Sequence, residues 1–349
     1  MPEVWMLGVA TPTSIARYAE RVEADGFTGL AVVDSQNLSG DPYVALALAA
    51  RATSRLQLAT GVTNPYTRHP AVTASAIASV QAVSDGRAVL GIGRGDSALA
   101  HLGLAPAPVA VFETYLRRLQ GYLRGDEVAF DDAGEVASVD ALGLGDQPAA
   151  SRVAWIAGGP KVPVDVAATG PRVIQLAAVV AERITFAVGA DAERLEWAIA
   201  TARAAGGAGT DGRFGAYVNV AVHPDVAVAR RLVAGSTSTM ARFNVMHGQA
   251  VGPFDAESAA MLGELGRRYD MTRHTEPGSP QADALAPAFV DRYAVVGPPD
   301  AVTRRLQELA ALGIERFVLM GAARAPGLEA EGRVARELLV DEVLPALTT

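Results

Sequence analysis

Eight short apolar segments alternate with amphipathic segments along most of the 349 residues, and this alternation limits the fold more than any other feature. The apolar segments have the length of buried strands, and the segments between them carry apolar side chains at helical spacing. Strands that alternate with helices form parallel sheets, and eight such units fit a closed (β/α)8 TIM barrel. An open doubly wound α/β sheet is the alternative, although that architecture more often uses about five to seven strands.

The predicted strands share a run of apolar residues that ends at a polar or glycine-containing segment. They are Val4–Ala10, Gly29–Val33, Leu56–Thr63, Ala88–Gly93, Val164–Ala168, Ile184–Val188, Phe214–Val222 and Arg316–Met320. Two stretches interrupt the alternation, one at about residues 126–162, with a hairpin strand at Val153–Ala157, and one at about residues 236–293. We interpret both as insertions into a single domain that spans residues 1–349, because the alternation resumes after each.

Composition excludes several classes of function. Half of the residues are apolar and 19% are charged, which is typical of a globular protein. The absence of cysteine excludes disulfides, thiolate metal sites and cysteine nucleophiles. A formal net charge of −8 argues against nucleic-acid and anionic-membrane partners. The amino-terminal residues lack a signal-peptide pattern and the longest apolar runs are too short to span a membrane, so we expect a cytoplasmic protein.

The segments that follow the strands are the candidate site, because a barrel of this kind places its catalytic groups where strands end. Residues 60–70, with a Gly-Val step followed by Thr, Asn and Pro, place irregular backbone at the end of the third strand. Glycine there permits the strained geometry or close backbone approach that a flat ring requires. Asp34 closes the second strand, where its carboxylate either exchanges a proton, binds a polar ring edge, or caps a turn.

Two further strand ends carry polar or glycine-rich motifs. Residues 91–97 partly resemble a dinucleotide-binding fingerprint, but Asp96 occupies the third glycine position, where its charge opposes a pyrophosphate. Crowded glycines at a barrel strand end instead let the backbone approach a planar ring, and Asp96 then lies in the catalytic layer or caps the next segment. Residues 167–171 join a strand to a helix, so their N–H groups and the Thr169 hydroxyl suit a phosphate or form a simple turn.

No metal site is expected. The histidines His69, His101, His223, His247 and His274 show no ligand spacing, and metal-binding, Walker and Gly-x-Ser-x-Gly motifs are all missing from the sequence. His69 precedes Pro70 at a helix start, and we interpret it as structural. Arg68 either meets an anion or lies at the surface, and Tyr269–Met271 in the second insertion belongs either to a lid or to packing.

Taken together, these strand-end segments resemble the luciferase-like family of flavin- and coenzyme F420-dependent oxidoreductases, most closely its methylenetetrahydromethanopterin reductase branch. The segments that carry the resemblance are Gly61–Tyr66, Pro70–Ile77, Gly86–Asp96, Ala167–Pro171, Thr185–Ala190 and Phe214–Pro224. The resemblance covers nearly the whole chain and weakens in the two insertions. It implies a (β/α)8 barrel with insertions, a homodimer, and a deazaflavin or flavin at the carboxyl ends of the strands.

The resemblance also implies roles for individual residues. In coenzyme F420 enzymes a non-proline cis peptide in the third strand forms a bulge behind the ring, and the matching bond here is Gly61–Val62. The acidic positions of the family's active site match Asp34 and Asp96. The residues implied in cofactor binding are Ser35, Gly61, Val62, Thr63, Asn64, Gly93, Arg94, Gly95, Ser97, Ala168, Thr169, Gly170, Gly189 and Ala190.

The chemistry that the resemblance implies is hydride transfer between C5 of coenzyme F420 and a carbon of a small organic substrate, with an acid or base handling any accompanying proton. Two departures from the reductase branch argue against a pterin substrate. That branch carries a glutamate in its first strand, whereas Trp5–Val9 contains no acid here, and Ser35 stands where many relatives have histidine. The alternatives on the same scaffold are an FMN-dependent monooxygenase and a cofactor-binding relative without catalytic activity.

Overall fold

A closed barrel of eight parallel strands forms the centre of the computed structural model, which describes residues 1–130, 138–156, 158–206, 214–245, 249–321 and 327–348. The barrel strands are β1 (Glu3–Val9), β2 (Gly29–Val33), β3 (Gln57–Thr60), β4 (Ala88–Ile92), β5 (Val164–Ala168), β6 (Arg183–Phe186), β7 (Phe214–Val222) and β8 (Arg316–Met320). The ring closes where β8 pairs with both β1 and β7, and where β6 pairs with β7. The predicted TIM barrel is thus confirmed, and the open sheet is not formed.

Helices cover the outside of the barrel. They are α1 (Ile15–Ala24), α2 (Pro42–Ala52), α3 (Pro70–Val83), α4 (Val109–Arg124), α5 (Pro171–Val180), α6 (Ala192–Ala205), α7 (Val226–Arg242), α8 (Ala256–Arg268), α9 (Pro287–Tyr293), α10 (Pro299–Ala311) and α11 (Glu329–Leu338). His69 Nδ1 accepts a hydrogen bond from the N–H of Ala71 at the start of α3, which confirms its structural role. Within the described residues, none of the helices is both long and apolar enough to cross a membrane.

The amino-terminal end of the barrel interior is closed by a buried ion pair. Arg316 Nη2 lies 2.8 Å from Asp165 Oδ2 and 2.9 Å from the Thr185 hydroxyl, which itself donates to Asp165. The guanidinium also lies 5.9 Å from the Trp5 ring. Buried charges are tolerated when they are paired and hydrogen-bonded. These strand residues therefore form a buried polar layer at the amino-terminal end of the barrel.

The first insertion differs from its prediction. Residues Val128–Ala129 pair antiparallel with Ala150–Ser151, whereas the predicted strand at Val153–Ala157 is wrong: Ala154–Ile156 form a single 3₁₀ turn, and Ala157 lies outside the described residues. The apolar residues suggested a strand, but the Trp155 side chain is more than half exposed. Among the described residues, the backbone of Ala154–Ile156 pairs with no strand.

In the second inserted region, α7 continues to Arg242, beyond residue 236, where the sequence pattern suggested that the insertion begins. The segment Gly235–Thr239 contains poor helix formers, but the hydroxyls of Ser238 and Thr239 bond back to the Gly235 carbonyl and the helix persists. Helices α8 and α9 follow, and a short strand, Val295–Gly297, extends the pairing of β7. Helix α11, which the sequence pattern did not predict, follows β8.

Candidate active site

A cavity of about 1840 Å³ opens at the carboxyl ends of the strands and extends toward a cleft between α1 and α11. This is the end of the barrel at which such folds carry their sites. Most of the residues predicted from separate strand ends meet in its wall: Asp34, Ser35, Gly61, Val62, Asn64, Gly93, Arg94, Gly95, Asp96, Ser97, Thr169 and Gly170. Segments distant in the sequence therefore form one surface.

Four predicted cofactor-binding residues do not line this cavity. Thr63 and Ala168 are buried, and the Thr63 hydroxyl donates to Asp34 instead of facing the open space. Gly189 and Ala190 lie behind Tyr293, whose carbonyl accepts a 2.8 Å hydrogen bond from the Ala190 N–H. These four residues therefore lie outside the wall of this cavity, and their role in cofactor binding stays a prediction.

The end of β3 is shaped by close backbone contact with β4. The peptide bond between Gly61 and Val62 is cis. Beyond it, Thr63 exchanges backbone hydrogen bonds with Gly91 and Gly93. Glycine is required at residue 91, because a Cβ there would lie 2.0 Å from the Thr60 carbonyl oxygen. These contacts hold the backbone of Gly61 and Val62 at the cavity wall.

Asn64 places a hydrogen-bond donor without a partner beside the cavity. Its side chain is 1% exposed, and its Oδ1 accepts from the N–H groups of Tyr66 and Thr67 at 3.0 and 3.1 Å. The Nδ2 atom is buried and has no hydrogen-bond partner among the described residues. Because an unpaired buried donor is costly, this atom suits an acceptor oxygen or nitrogen of a bound ligand.

Asp34 is held by three donors. Its Oδ2 accepts from Thr63 Oγ1 at 2.6 Å and from Arg68 Nη1 at 2.7 Å, and its Oδ1 accepts from Gln36. Burial raises the pKa of the Asp34 carboxyl, while Thr63 and Arg68 act in the opposite direction. Both carboxylate oxygens are therefore already engaged within the protein.

The sequence left open whether Arg68 meets an anion or lies at the surface, and the structure shows its contacts. It is mostly buried, and its second terminal nitrogen lies 2.7 Å from Asp41 Oδ2, so it bridges two carboxylates instead of lying free at the surface. Asp41 also caps α2 through the N–H groups of Tyr43 and Val44. The arginine thereby links the loop after β3 to the end of β2.

Asp96 forms an ion pair with Arg242, the last residue of α7. The carboxylate does not cap the short helix Ser97–Ala100 that follows it. The Arg242 guanidinium lies 4.7 Å from the centre of the Tyr269 ring. The ion pair thus joins the loop after β4 to the second insertion, a contact that nothing in the local sequence indicates.

The second insertion also contributes His274 to the cavity wall. The Tyr269 hydroxyl lies 2.8 Å from His274 Nδ1 and 3.1 Å from the Thr239 hydroxyl. Burial, together with Arg242 and His101, lowers the pKa of His274 to about 4. Of the two interpretations of Tyr269, lid or packing, its contacts with Arg242, His274 and the adjacent apolar cluster support packing. Sequence reasoning did not identify His274, because an isolated histidine in an irregular segment has no motif.

One side of the cavity is basic. Arg94 and Arg172 both line it, and burial together with the charge of Arg172 lowers the pKa of Arg94. The Arg94 Nε donates to the Ala107 carbonyl at 2.5 Å. Helix α5 begins beside them at Gly170, which offers no capping side chain. Two neighbouring cations and a helix amino terminus favour an anionic group.

No cluster of three potential metal ligands occurs in the part of the chain that the structure describes. That part includes His69, His101, His223 and His274, while His247 lies outside it.

Comparison with known proteins agrees with this architecture. The model of a family described as luciferase-like monooxygenase matches residues 3–316. The 5,10-methylenetetrahydromethanopterin reductase of Methanolobus tindarius is 28% identical over 320 residues, which cover 87% of this chain and 89% of the relative. The reductase of the same name from Archaeoglobus fulgidus is 27% identical over 343 residues, covering 95% and 94%. The solved coenzyme F420 dependent tetrahydromethanopterin reductase from Methanopyrus kandleri has a TM-score of 0.72 at 23% identity, covering 99% of each chain.

Proposed function

Because the chain belongs to the luciferase-like monooxygenase family, we propose that it is an oxidoreductase that uses coenzyme F420 to transfer a hydride to or from a small organic substrate. The full-length similarity to methylenetetrahydromethanopterin reductases favours hydride transfer over oxygen insertion. The observation that carries the proposal is the buried Asn64 Nδ2, which lacks a partner in the described structure and lies where the strand ends meet.

The residues of the cavity fit a deazaflavin. Such a cofactor supplies a carbon that accepts or releases a hydride. The backbone of Gly61–Asn64 and of Gly93–Ser97 would hold its ring, with Asn64 Nδ2 donating to a ring oxygen or nitrogen. Asp34 and Arg68 would position this wall, because both are already bound to other protein groups.

The anionic part of the cofactor would lie on the basic side of the cavity. Coenzyme F420 carries a phosphate and a carboxylate tail, and Arg94, Arg172 and the start of α5 form a surface that suits negative charge. This local surface offsets the overall charge of −8, which would otherwise slow the approach of an anion.

We propose a substrate other than a pterin. The residues of β1 that line the cavity are Met6, Leu7, Gly8 and Val9, and none of them is acidic. The wall that faces a substrate is therefore apolar on this side. A small, largely apolar molecule with one oxygen or nitrogen at the reacting carbon fits that wall.

Two neighbouring helices suggest how the chain forms the expected homodimer. Helix α3 contains no charged residue, and Arg51 is the one charged residue of α2. Outward-facing Val44, Leu48 and Val72 on these helices are each at least 40% exposed. Because exposed helix faces normally carry charge, we propose that a second copy of the chain covers this surface. Light scattering should show a dimer for the wild type and a monomer for Val72→Glu.

Titration with oxidised coenzyme F420 tests the proposed function directly. We expect quenching of coenzyme fluorescence in a saturable manner, and about tenfold or greater weakening in Asn64→Asp. That variant keeps an oxygen that accepts from Tyr66 and Thr67 and replaces the donor with a second, negatively charged acceptor that repels an acceptor atom of the ring. Circular dichroism checks that the variant is folded.

The alternatives give different results in the same experiment. Binding of FMN without binding of coenzyme F420, together with oxygen uptake by the reduced FMN complex, would identify a monooxygenase. Binding of coenzyme F420 without hydride transfer to or from any of a broad panel of alcohols, ketones and enones would favour a non-catalytic relative. Equal affinity of the wild type and Asn64→Asp would contradict the assigned position of the ring.

A further inference from the structure

Hydride transfer to or from a carbon bound to oxygen or nitrogen also requires a group that exchanges a proton with that atom. The two carboxylates at the mouth of the barrel are poorly placed to do so. Asp34 accepts hydrogen bonds at both oxygens, and Asp96 is paired with Arg242. The arginines of the wall stay protonated and cannot act as bases.

His274 is the titratable group of this wall that keeps an atom available. Its Nδ1 is bonded to the Tyr269 hydroxyl, while its Nε2 has no hydrogen-bond partner in the described residues. The nearby His101 is the natural comparison, because its ring lies 6.2 Å away but does not line the cavity, and its Nε2 is buried. Of this histidine pair, His274 is thus the member that lines the cavity.

The backbone of the segment that carries His274 packs directly against α7. A Cβ at Gly235 would lie 2.2 Å from the carbonyl oxygen of Thr275, so the absence of a side chain allows the two backbones to touch. Thr275 adopts a positive φ of 65°, which non-glycine residues rarely do. This contact and the Tyr269 hydrogen bond fix the position of the imidazole beside the cavity.

Burial, together with the charged and titratable groups around it, keeps His274 neutral. Arg242 faces it from α7, His101 from the loop after β4, and Tyr269 from its own insertion. The negative charge of Asp96 is turned toward Arg242. With Nδ1–H donating to the Tyr269 hydroxyl, the Nε2 lone pair would be free to accept a proton at neutral pH.

We propose that His274 is the proton acceptor and donor of the reaction. This inference rests on the proposed function. In the oxidative direction, the substrate C–H bond breaks and its hydride passes to the coenzyme, while the O–H or N–H proton passes to His274 Nε2. A carbon–heteroatom double bond forms, the substrate loses two electrons, and the coenzyme gains them. The proton then leaves Nε2 to water, and the reverse direction uses the same groups.

Chemical modification tests the position of His274 without knowledge of the substrate. Diethyl pyrocarbonate modifies accessible, unprotonated imidazole nitrogens, and peptide mass spectrometry locates the product. We expect rapid modification of His274, slow modification of His101, and at least about tenfold protection of His274 by bound coenzyme F420. An unreactive His274, or one that the coenzyme does not protect, would overturn the inference.

Kinetics of His274→Gln and the control His101→Gln complete the test, with a substrate of the alcohol, ketone and enone panel that the wild type turns over. We expect kcat of His274→Gln to fall by about 100- to 10,000-fold while the Kd for coenzyme F420 stays within about twofold of the wild type. His101→Gln should keep kcat within about threefold. Wild-type kcat in His274→Gln would refute the role of His274 alone, whereas a wild type that does not bind coenzyme F420 would refute the proposed function as well.

Discussion

Each end of the barrel interior contains an aspartate–arginine ion pair, but the two pairs have different surroundings. At the amino-terminal end, Asp165 and Arg316 belong to strands, satisfy one another and the Thr185 hydroxyl, and do not line the cavity at the other end. At the carboxyl end, Asp34 and Arg68 belong to the segments after strands, and Asp34 lines the cavity. An aspartate–arginine pair therefore does not by itself indicate a catalytic site. What distinguishes the two ends is the presence of unsatisfied groups beside a cavity.

The largest effect should follow from breaking the pair at the closed end. Arg316→Met leaves Asp165 charged and buried without its cation, so we expect the free energy of unfolding to fall by about 3–5 kcal/mol. Urea denaturation measures this change. The double variant Asp165→Leu/Arg316→Met should recover part of the loss, because it removes both charges. A loss below about 1 kcal/mol in the single variant would remove the contrast between the two ends.

A smaller loss of stability should follow from crowding the backbone at the open end. Gly91→Ala forces a methyl group against the Thr60 carbonyl oxygen, and we expect a cost of about 2–3 kcal/mol. Gly145→Ala is the matched control, because a Cβ there meets no atom within 4 Å. Thermal and urea unfolding of both variants would check the difference. Equal stabilities would show that the backbones of β3 and β4 move apart at this point with little cost in free energy.

His274 should make the open end sensitive to acid. Its pKa is about 4 in the folded chain and 6.5 in the reference state, so its contribution to stability is complete above pH 6.5 and is lost as the pH falls toward 4. The wild type should thus lose more stability than His274→Gln across that window. Urea unfolding at a series of pH values measures the difference. Parallel curves for the two proteins would contradict the buried, neutral state of the ring.

Asp34 should give the smallest effect, with the opposite sign. Burial raises its pKa above the reference value of 3.8, so its contribution to stability is present below pH 3.8 and is lost as the pH rises through the folded pKa. Relative to Asp34→Asn, the wild type should lose stability over this rise. The same pH series tests this, and a relative gain by the wild type would show that Arg68 outweighs burial.

The sequence predicted the barrel and much of the cavity wall because both depend on local pattern. Strand residues alternate with helices, and the polar residues after β2, β3, β4 and β5 meet once the barrel closes. Asp34 and Asp96 were therefore singled out from their positions at strand ends, and Asn64 from the family resemblance. Closure of the barrel brings these residues together, because its parallel strands all direct their carboxyl ends to one side.

The groups that the sequence did not reveal depend on contacts between distant segments. Arg242 reaches Asp96 because α7 continues through residues with low helix propensity, and the position of His274 depends on the contact between Gly235 and Thr275. Neither contact leaves a periodic trace in the chain. Conversely, Gly189 and Ala190 matched the family pattern, but in this fold Tyr293 lies over them.

The ion pair between Asp96 and Arg242 has a consequence for how two bound ligands affect one another. It connects the loop proposed to hold the cofactor with the insertion that carries His274. A ligand that stiffens the Asp96 side reduces the entropy that remains to be lost on the Arg242 side. Occupancy by the cofactor should therefore tighten the binding of substrate, and by thermodynamic reciprocity the substrate should tighten the binding of the cofactor by the same factor.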